Sequence, residues 1–341
     1  MSPLRARCVL ALLAPATLIS AMSSPAAASD SAQEVRAADA PTAAVDPWPG
    51  IGAGSTVVAD ATGQAGTTYR YRLVSPKPEA IADPGARVPL VVFLHGSGER
   101  GDDNAAQLKH FAGWCGDDAL QSRHPCYMLA MQCPAGETWA ALDLKAYREK
   151  GELPRRAAEP TRAMRALMQA IDEIVATKAV DPTRVYLTGL SMGGFGAFDL
   201  AARRPELFAA VVPICGGGDP GTAETVAAIP FYIVHGSDDP VVPVALSRAM
   251  RDAIAGAAAA RAAAEREKAR GTADAPRPMP KRAPNPMYRE YDKVGHDSWT
   301  PAYRFGEEGV LDWMFAQRKA STRRPSTDGA ASPASGAPTG K

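Results

Sequence analysis

Ser191 stands in Gly189-Leu190-Ser191-Met192-Gly193-Gly194, a serine on a glycine-flanked turn. The run before it, Arg184 to Thr188, is β-branched and apolar and reads as a buried strand. The run after it, Phe195 to Arg204, reads as a helix. A serine at such a junction is the G-x-S-x-G nucleophile elbow. The turn is so tight that flanking residues with a Cβ would clash, and it holds the serine in a strained conformation. The hydroxyl is then exposed at the carboxyl edge of a sheet. A helix N-terminus behind it favours developing negative charge.

Serine is a weak nucleophile at its own pKa, so it needs a base, and the base needs an orienting acid. The histidines are His95, His110, His124, His235 and His296. His296 lies in Val294-Gly295-His296-Asp297-Ser298-Trp299, just after the last apolar strand, where a loop can bring an imidazole over the serine. His95 and His235 each precede a glycine at the end of an apolar strand and read as structural turn residues. His110 and His124 fall in a loop and read as solvated or substrate-side groups. The acid is expected at a strand end between serine and base, where Ser237-Asp238-Asp239-Pro240 offers two aspartates. Asp239 begins the turn that Pro240 fixes and is the expected acid, with Asp238 as its surface neighbour. Asp297 is next to the base in sequence, which does not give the geometry.

An oxyanion needs two amide donors. Met192, after the serine, would supply one. The other would come from His95-Gly96-Ser97-Gly98-Glu99-Arg100-Gly101, with Ser97 as first choice and Gly98 as second. That loop lacks the Lys-Ser/Thr ending of a P-loop and the spacing of a dinucleotide fingerprint.

These groups need elements to hold them. Thr67–Val74 alternates and reads as a half-buried strand near a sheet edge. Val88–Leu94 is continuously apolar and reads as a central strand. Tyr127–Gln132, Ala209–Ile214, Ile229–Val234 and Met287–Tyr291 read as further strands. Thr161 to Thr177 repeats apolar residues at helical spacing until Asp181-Pro182-Thr183 turns the chain into the serine strand. Phe305 to Gln317 reads as a closing helix. Strands alternating with helices mean a mostly parallel central sheet with helices on both faces, an α/β fold. Such sheets bind ligands at the carboxyl ends of their strands.

Lys+Arg of 38 against Asp+Glu of 37 gives no strong field, so nothing favours nucleic acid or an anionic membrane as partner. Residues 1–28 have a basic start, an apolar core and a small-residue site, the layout of a secretory signal peptide. That core is short for a membrane span and is broken by Pro15. The expected location is therefore secreted or periplasmic. Residues 29–50 read as a flexible lead-in, 51–320 as the catalytic domain and 321–341 as a disordered tail. Within the domain, Ala257 to Arg270 contains only Ala, Arg, Glu and Lys, and a Pro-rich stretch follows to Pro286. This reads as an inserted helix and stiff linker, away from the active site.

Loss of the signal would remove Cys8 and leave Cys115, Cys126, Cys133 and Cys215. Cys115 and Cys126 share one polar loop region and are the expected disulfide pair, with Cys133 and Cys215 as buried thiols. No cysteine spacing matches a zinc site, and neither a metal nor a cofactor is expected.

Four stretches together resemble a known family: His95 to Asn104, Thr188 to Gly196, His235 to Pro243, and Gly295 to Trp299. They are similar to the secreted α/β-hydrolase esterases grouped with predicted peptidases, phospholipase/carboxylesterases and feruloyl esterases. The likeness spans about residues 65 to 316. It implies the α/β-hydrolase fold, a Ser191–Asp239–His296 triad and hydrolysis of small-molecule or polymer-linked esters through an acyl-enzyme. Dienelactone hydrolases share the fold but use cysteine where this chain has Ser191. Two rivals stand beside this reading. A prolyl-oligopeptidase-type serine peptidase usually carries a propeller, for which there is no room. A non-catalytic binding protein on a hydrolase scaffold would not need all three triad residue types in order. Trp139 and Trp299 are the candidates to line the substrate site.

Overall fold

A computed structural model describes residues 51–58, 66–115, 118–270 and 286–320. The expected signal peptide, lead-in and tail, and most of the Pro-rich linker, lie outside the described residues.

One sheet is built from β1 (Gly52–Val58), β2 (Thr67–Val74), β3 (Val88–Leu94), β4 (Tyr127–Met131), β5 (Val180–Leu190), β6 (Ala210–Ile214), β7 (Tyr232–Gly236) and β8 (Met287–Tyr291). The strand order is β1-β2-β4-β3-β5-β6-β7-β8. β2 is antiparallel to both neighbours. All pairings from β4 to β8 are parallel.

β3 shows why its run is unbroken in hydrophobicity. Leu90, Val92 and Leu94 join a core that includes Met164, Leu167 and Ile171 of the Arg162–Thr177 helix and Ala197 and Leu200 of the Met192–Arg203 helix. Val91 and Phe93 join a second core with Phe111, Leu120, Leu311 and Met314. Alternate side chains of one strand thus feed two cores, so neither face can be polar.

The elements differ from expectation where local pattern is a weak guide. β1 was not foreseen, because Gly52-Ala53-Gly54-Ser55-Thr56 carries little apolar signal; its place comes from pairing along the edge of β2. Asp181-Pro182-Thr183 lies inside β5 and not in a turn before it. β7 starts at Tyr232, beyond Pro230, which has no N–H to donate to a ladder. The closing helix covers only Leu311–Ala316, since a turn with Gly306 at φ 86° interrupts the chain just before it. The Ala/Arg/Glu/Lys segment is no separate insertion at its start. It continues a helix running Val244–Arg270, which packs Leu246, Met250, Ile254 and Ala258 at four-residue spacing against the body and then leaves it.

The expected disulfide is absent. Cys115 and Cys126 are both free and buried, as are Cys133 and Cys215. The Gln121 amide ties the two backbones together, donating to the carbonyls of Cys115 (2.7 Å) and Cys126 (3.1 Å). A short polar segment that reads as a loop is thus anchored by a buried side-chain amide instead of a covalent bond.

Candidate active site

The loops after β3, β5, β7 and β8 begin at one edge of the sheet because those strands are mutually parallel. They carry Ser97, Ser191, Asp239 and His296 respectively.

Ser191 has φ 54° and ψ −118°, a conformation that side-chain-bearing residues rarely adopt. Two things hold it there. The Ser191 N–H donates to the Ile214 carbonyl at 3.0 Å, and the Met192–Arg203 helix starts at once behind it. That helix passes so close to β3 that a Cβ on Gly193 would collide with the Leu94 carbonyl, and one on Gly189 with the Gly193 backbone. The G-x-S-x-G glycines are therefore demanded by backbone approach.

Ser191 Oγ lies 3.0 Å from His296 Nε2, and His296 Nδ1 lies 2.7 Å from Asp239 Oδ2. Asp239 Oδ1 accepts from the Val241 and Val242 amides at 2.8 and 2.9 Å, so Pro240 sits in a turn that the carboxylate itself closes. Burial pushes the Asp239 carboxyl up, but the bonds from His296, Val242 and Val241 outweigh it and hold the group below its ordinary value. Asp238 instead accepts from Ser237 Oγ, and Asp297 accepts from Thr300 N–H and Oγ1.

His235 is closer to this chemistry than its sequence position suggests. Its ring is fully buried and its Nε2 lies 3.2 Å from Asp239 Oδ2 and 3.0 Å from the Val242 carbonyl. Neither oxygen has a hydrogen to give when Asp239 is ionised, so Nε2 carries the proton. Nδ1 lies 2.7 Å from Ser247 Oγ. Burial pushes the ring down, against the bonds from Val242 and Asp239. The repeated His-Gly at strand ends was the available signal. His95 fills the matching place after β3, buried, with Nε2 accepting from Cys133 N–H at 2.9 Å. Burial pushes it down to about 4.

Ser97, Ser191 and Met192 open onto one cavity of about 480 Å³. Met192 is the first residue of its helix, so its N–H has no carbonyl within the helix to serve. Gly98 is exposed and is not on the cavity wall. The walls are Leu142, Leu144 and Tyr147 on or just before the Leu144–Lys150 helix, with Phe195, Val242 and Leu246. These residues form a small apolar cluster of their own. Only their spacing on a short helix could have announced them, and seven residues are too few for a periodic signal.

Contrary to expectation, Trp139 packs inside the protein. It is wholly buried, its Nε1 donates to the His95 carbonyl at 3.1 Å, and it does not line the cavity. A large indole next to a close-packed helix start serves packing. Trp299 is half-buried and also off the cavity wall; it meets His296 and His110 edge-on, at 5.4 and 5.3 Å between centroids. His110 is half-buried and lies 3.3 Å from the buried Glu99. His124 stacks on Phe315 at 4.3 Å.

Cys215, Asp239 and His296 offer ligand atoms all within 4.8 Å of one another. Burial pushes the Cys215 thiol up, so it stays protonated, and a thiol is a poor metal ligand. Asp239 and His296 already bond each other.

An eight-stranded, mostly parallel sheet with a serine elbow at its carboxyl edge defines an α/β-hydrolase. Residues 77–269 match the phospholipase/carboxylesterase family, more than half of the chain, and the protein belongs to it. The chain is 34% identical over 134 residues to poly(3-hydroxyalkanoate) depolymerase C of Paucimonas lemoignei, covering 39% of this chain and 28% of that protein. It is 37% identical over 73 residues to feruloyl esterase D of Neurospora crassa, covering 21% and 25%. Among solved structures, a thermostable esterase superposes with a TM-score of 0.62 at 32% identity, covering 80% of this chain and 64% of that one. The chain thus spans about a quarter of those two curated relatives. No helix among the described residues is long and apolar enough to cross a membrane.

Proposed function

We propose that this protein is a serine esterase that hydrolyses carboxylic esters through an acyl-enzyme on Ser191. The observation that carries the reading is the 3.0 Å contact between Ser191 Oγ and His296 Nε2, with Asp239 at the other ring nitrogen. Membership of the phospholipase/carboxylesterase family and the names of its relatives agree with it.

In this mechanism Ser191 Oγ attacks the ester carbonyl carbon while His296 Nε2 takes its proton. Asp239 keeps the Nδ1–H tautomer in place and stabilises the imidazolium. The Met192 and Ser97 amides take the developing oxyanion. His296 then gives its proton to the leaving alkoxide, the alcohol departs, and the acyl group stays on Oγ. Water repeats the sequence in the second half, with His296 as base, and releases the acid. The apolar cavity beside Ser191 accepts one side of the ester. Export rests on the basic, apolar and small-residue order of residues 1–28.

The test is a substrate panel on wild type and Ser191→Ala: 4-nitrophenyl acyl esters, methyl ferulate and a peptide amide. Ester turnover that vanishes in the variant supports the reading. Turnover that survives Ser191→Ala sinks the mechanism, and amide turnover exceeding ester turnover makes the protein a peptidase. Export is tested by sequencing the amino terminus of protein recovered outside the cytoplasm.

A further inference from the structure

The cavity beside Ser191 is mostly apolar, and the charged side chains on its wall are of one sign. Arg100 and Arg148 both line it, and among the described residues no acidic side chain does. Neither arginine forms an ion pair among the described residues. Arg100 is held by main-chain carbonyls alone: Nε donates to Ser97 at 3.0 Å and Nη1 to Glu137 at 3.2 Å. The Glu137 carboxylate is taken up elsewhere, by the Tyr69 hydroxyl at 2.9 Å and by Arg162 at 3.3 Å. Among the described residues, Arg100 is therefore a fixed cation with no carboxylate paired to it.

Arg148 stands on the Leu144–Lys150 helix, one turn after Leu144, and is exposed. The acids near it in sequence are already engaged. Asp143 caps the helix through the amides of Lys145 and Ala146. Glu149 pairs with Lys145 and Glu152 with Lys150. Two uncompensated guanidinium groups on a low-dielectric wall focus a positive field into the cleft. A guanidinium also suits a carboxylate in shape, through two parallel N–H donors.

We propose that the cavity selects esters whose apolar body ends in a carboxylate, with Arg148 and Arg100 as its counter-charges. This rests on the esterase reading for the reacting bond, and adds the class of substrate. The carboxylate can sit on the acyl side, as in a monoester of a dicarboxylic acid, or on the alcohol side, as in an acylated hydroxy acid. Both place an anion beyond an apolar stretch.

The experiment compares kcat/KM for 4-nitrophenyl hydrogen adipate with that for neutral 4-nitrophenyl hexanoate, in wild type, Arg148→Lys, Arg148→Gln and Arg148→Glu. A second arm compares the butyryl ester of 4-hydroxybenzoate with phenyl butyrate, placing the charge on the alcohol. In at least one arm the anionic-to-neutral ratio should exceed one in wild type and shrink as salt is added. It should fall about tenfold in Arg148→Gln, a loss of the size expected for one charge-assisted contact, and further in Arg148→Glu. Arg148→Lys should keep most of it. The same ester pairs, titrated calorimetrically into Ser191→Ala, read the preference without any turnover. A failure of the esterase reading therefore leaves this proposal measurable. Ratios in both arms that are equal in wild type and Arg148→Glu, together with equal binding in the calorimeter, overturn it.

Discussion

His235 and Asp239 share one carboxylate oxygen with the His296 ring: Oδ2 lies 2.7 Å from His296 Nδ1 and 3.2 Å from His235 Nε2. The acid that would orient the base is thus itself held by a second, fully buried imidazole. In His235→Phe that donor is gone, and the Asp239 carboxylate loses one of the contacts that fix it against His296. kcat should fall about tenfold, equivalent to about 1.4 kcal/mol, with KM little changed. Steady-state kinetics on a 4-nitrophenyl ester, with the folded fraction measured alongside, check this. A purely structural role for His235 would lower the folded fraction and leave kcat per folded molecule unchanged.

Asp239→Asn keeps an oxygen for the Val241 and Val242 amides and so should fold. Its NH₂ would face His296 and favour the wrong tautomer. The expected loss in kcat is on the order of 10⁴-fold. Single-turnover kinetics on the purified variant would decide it, and a loss under tenfold would remove Asp239 from the mechanism.

Gly193→Ala tests the elbow by sterics alone. The added methyl meets the Leu94 carbonyl, which is central-strand backbone and cannot step aside. A cost of about 3–5 kcal/mol is expected, among the larger single-residue effects. Denaturant unfolding of wild type and variant gives the difference directly.

Asp181 ties the start of the serine strand together. It accepts from Thr183 N–H and Oγ1, and pairs with Arg184 and Arg318. Burial pushes its carboxyl up, but the Thr183 and Arg184 bonds outweigh this and bring it down to about 2. Its value in the folded state is therefore below that of the unfolded chain, so its stabilisation is complete above about pH 4 and is lost as pH falls through 2. At neutral pH this amounts to about 2 kcal/mol. Asp181→Ala should lower the melting temperature at pH 7 and leave it nearly equal to wild type at pH 2. A gap that persists at pH 2 would assign the effect to packing.

Much of the sheet was legible because its strands advertise themselves locally. β2 and β3 begin and end where the alternating or continuous apolar runs do, since a strand buried on one or both faces must be apolar at that period. β1 was not legible, because an edge strand is held by backbone hydrogen bonds that any sequence can make. The Val244–Arg270 helix was misdivided for a similar reason: its first half is apolar on one face and its second half is Ala-rich and solvated, yet one backbone ladder runs through both. Cys115 and Cys126 were expected to be joined because sequence distance suggested it, whereas their state depends on a buried glutamine between them.

By itself the sequence determined the chemical inventory and its order: a serine that only glycine neighbours could accommodate, an acid and a base each just beyond an apolar strand. Those are local facts, fixed by backbone sterics and by the period of hydrophobic residues. Only the tertiary structure decided that the three groups lie within 3.0 Å of their partners, that Trp139 packs inward, that His235 supports the acid, and that two arginines face the same cavity. Each of those depends on side chains brought together from strands and loops tens of residues apart, and their distances are set by how the sheet twists and packs.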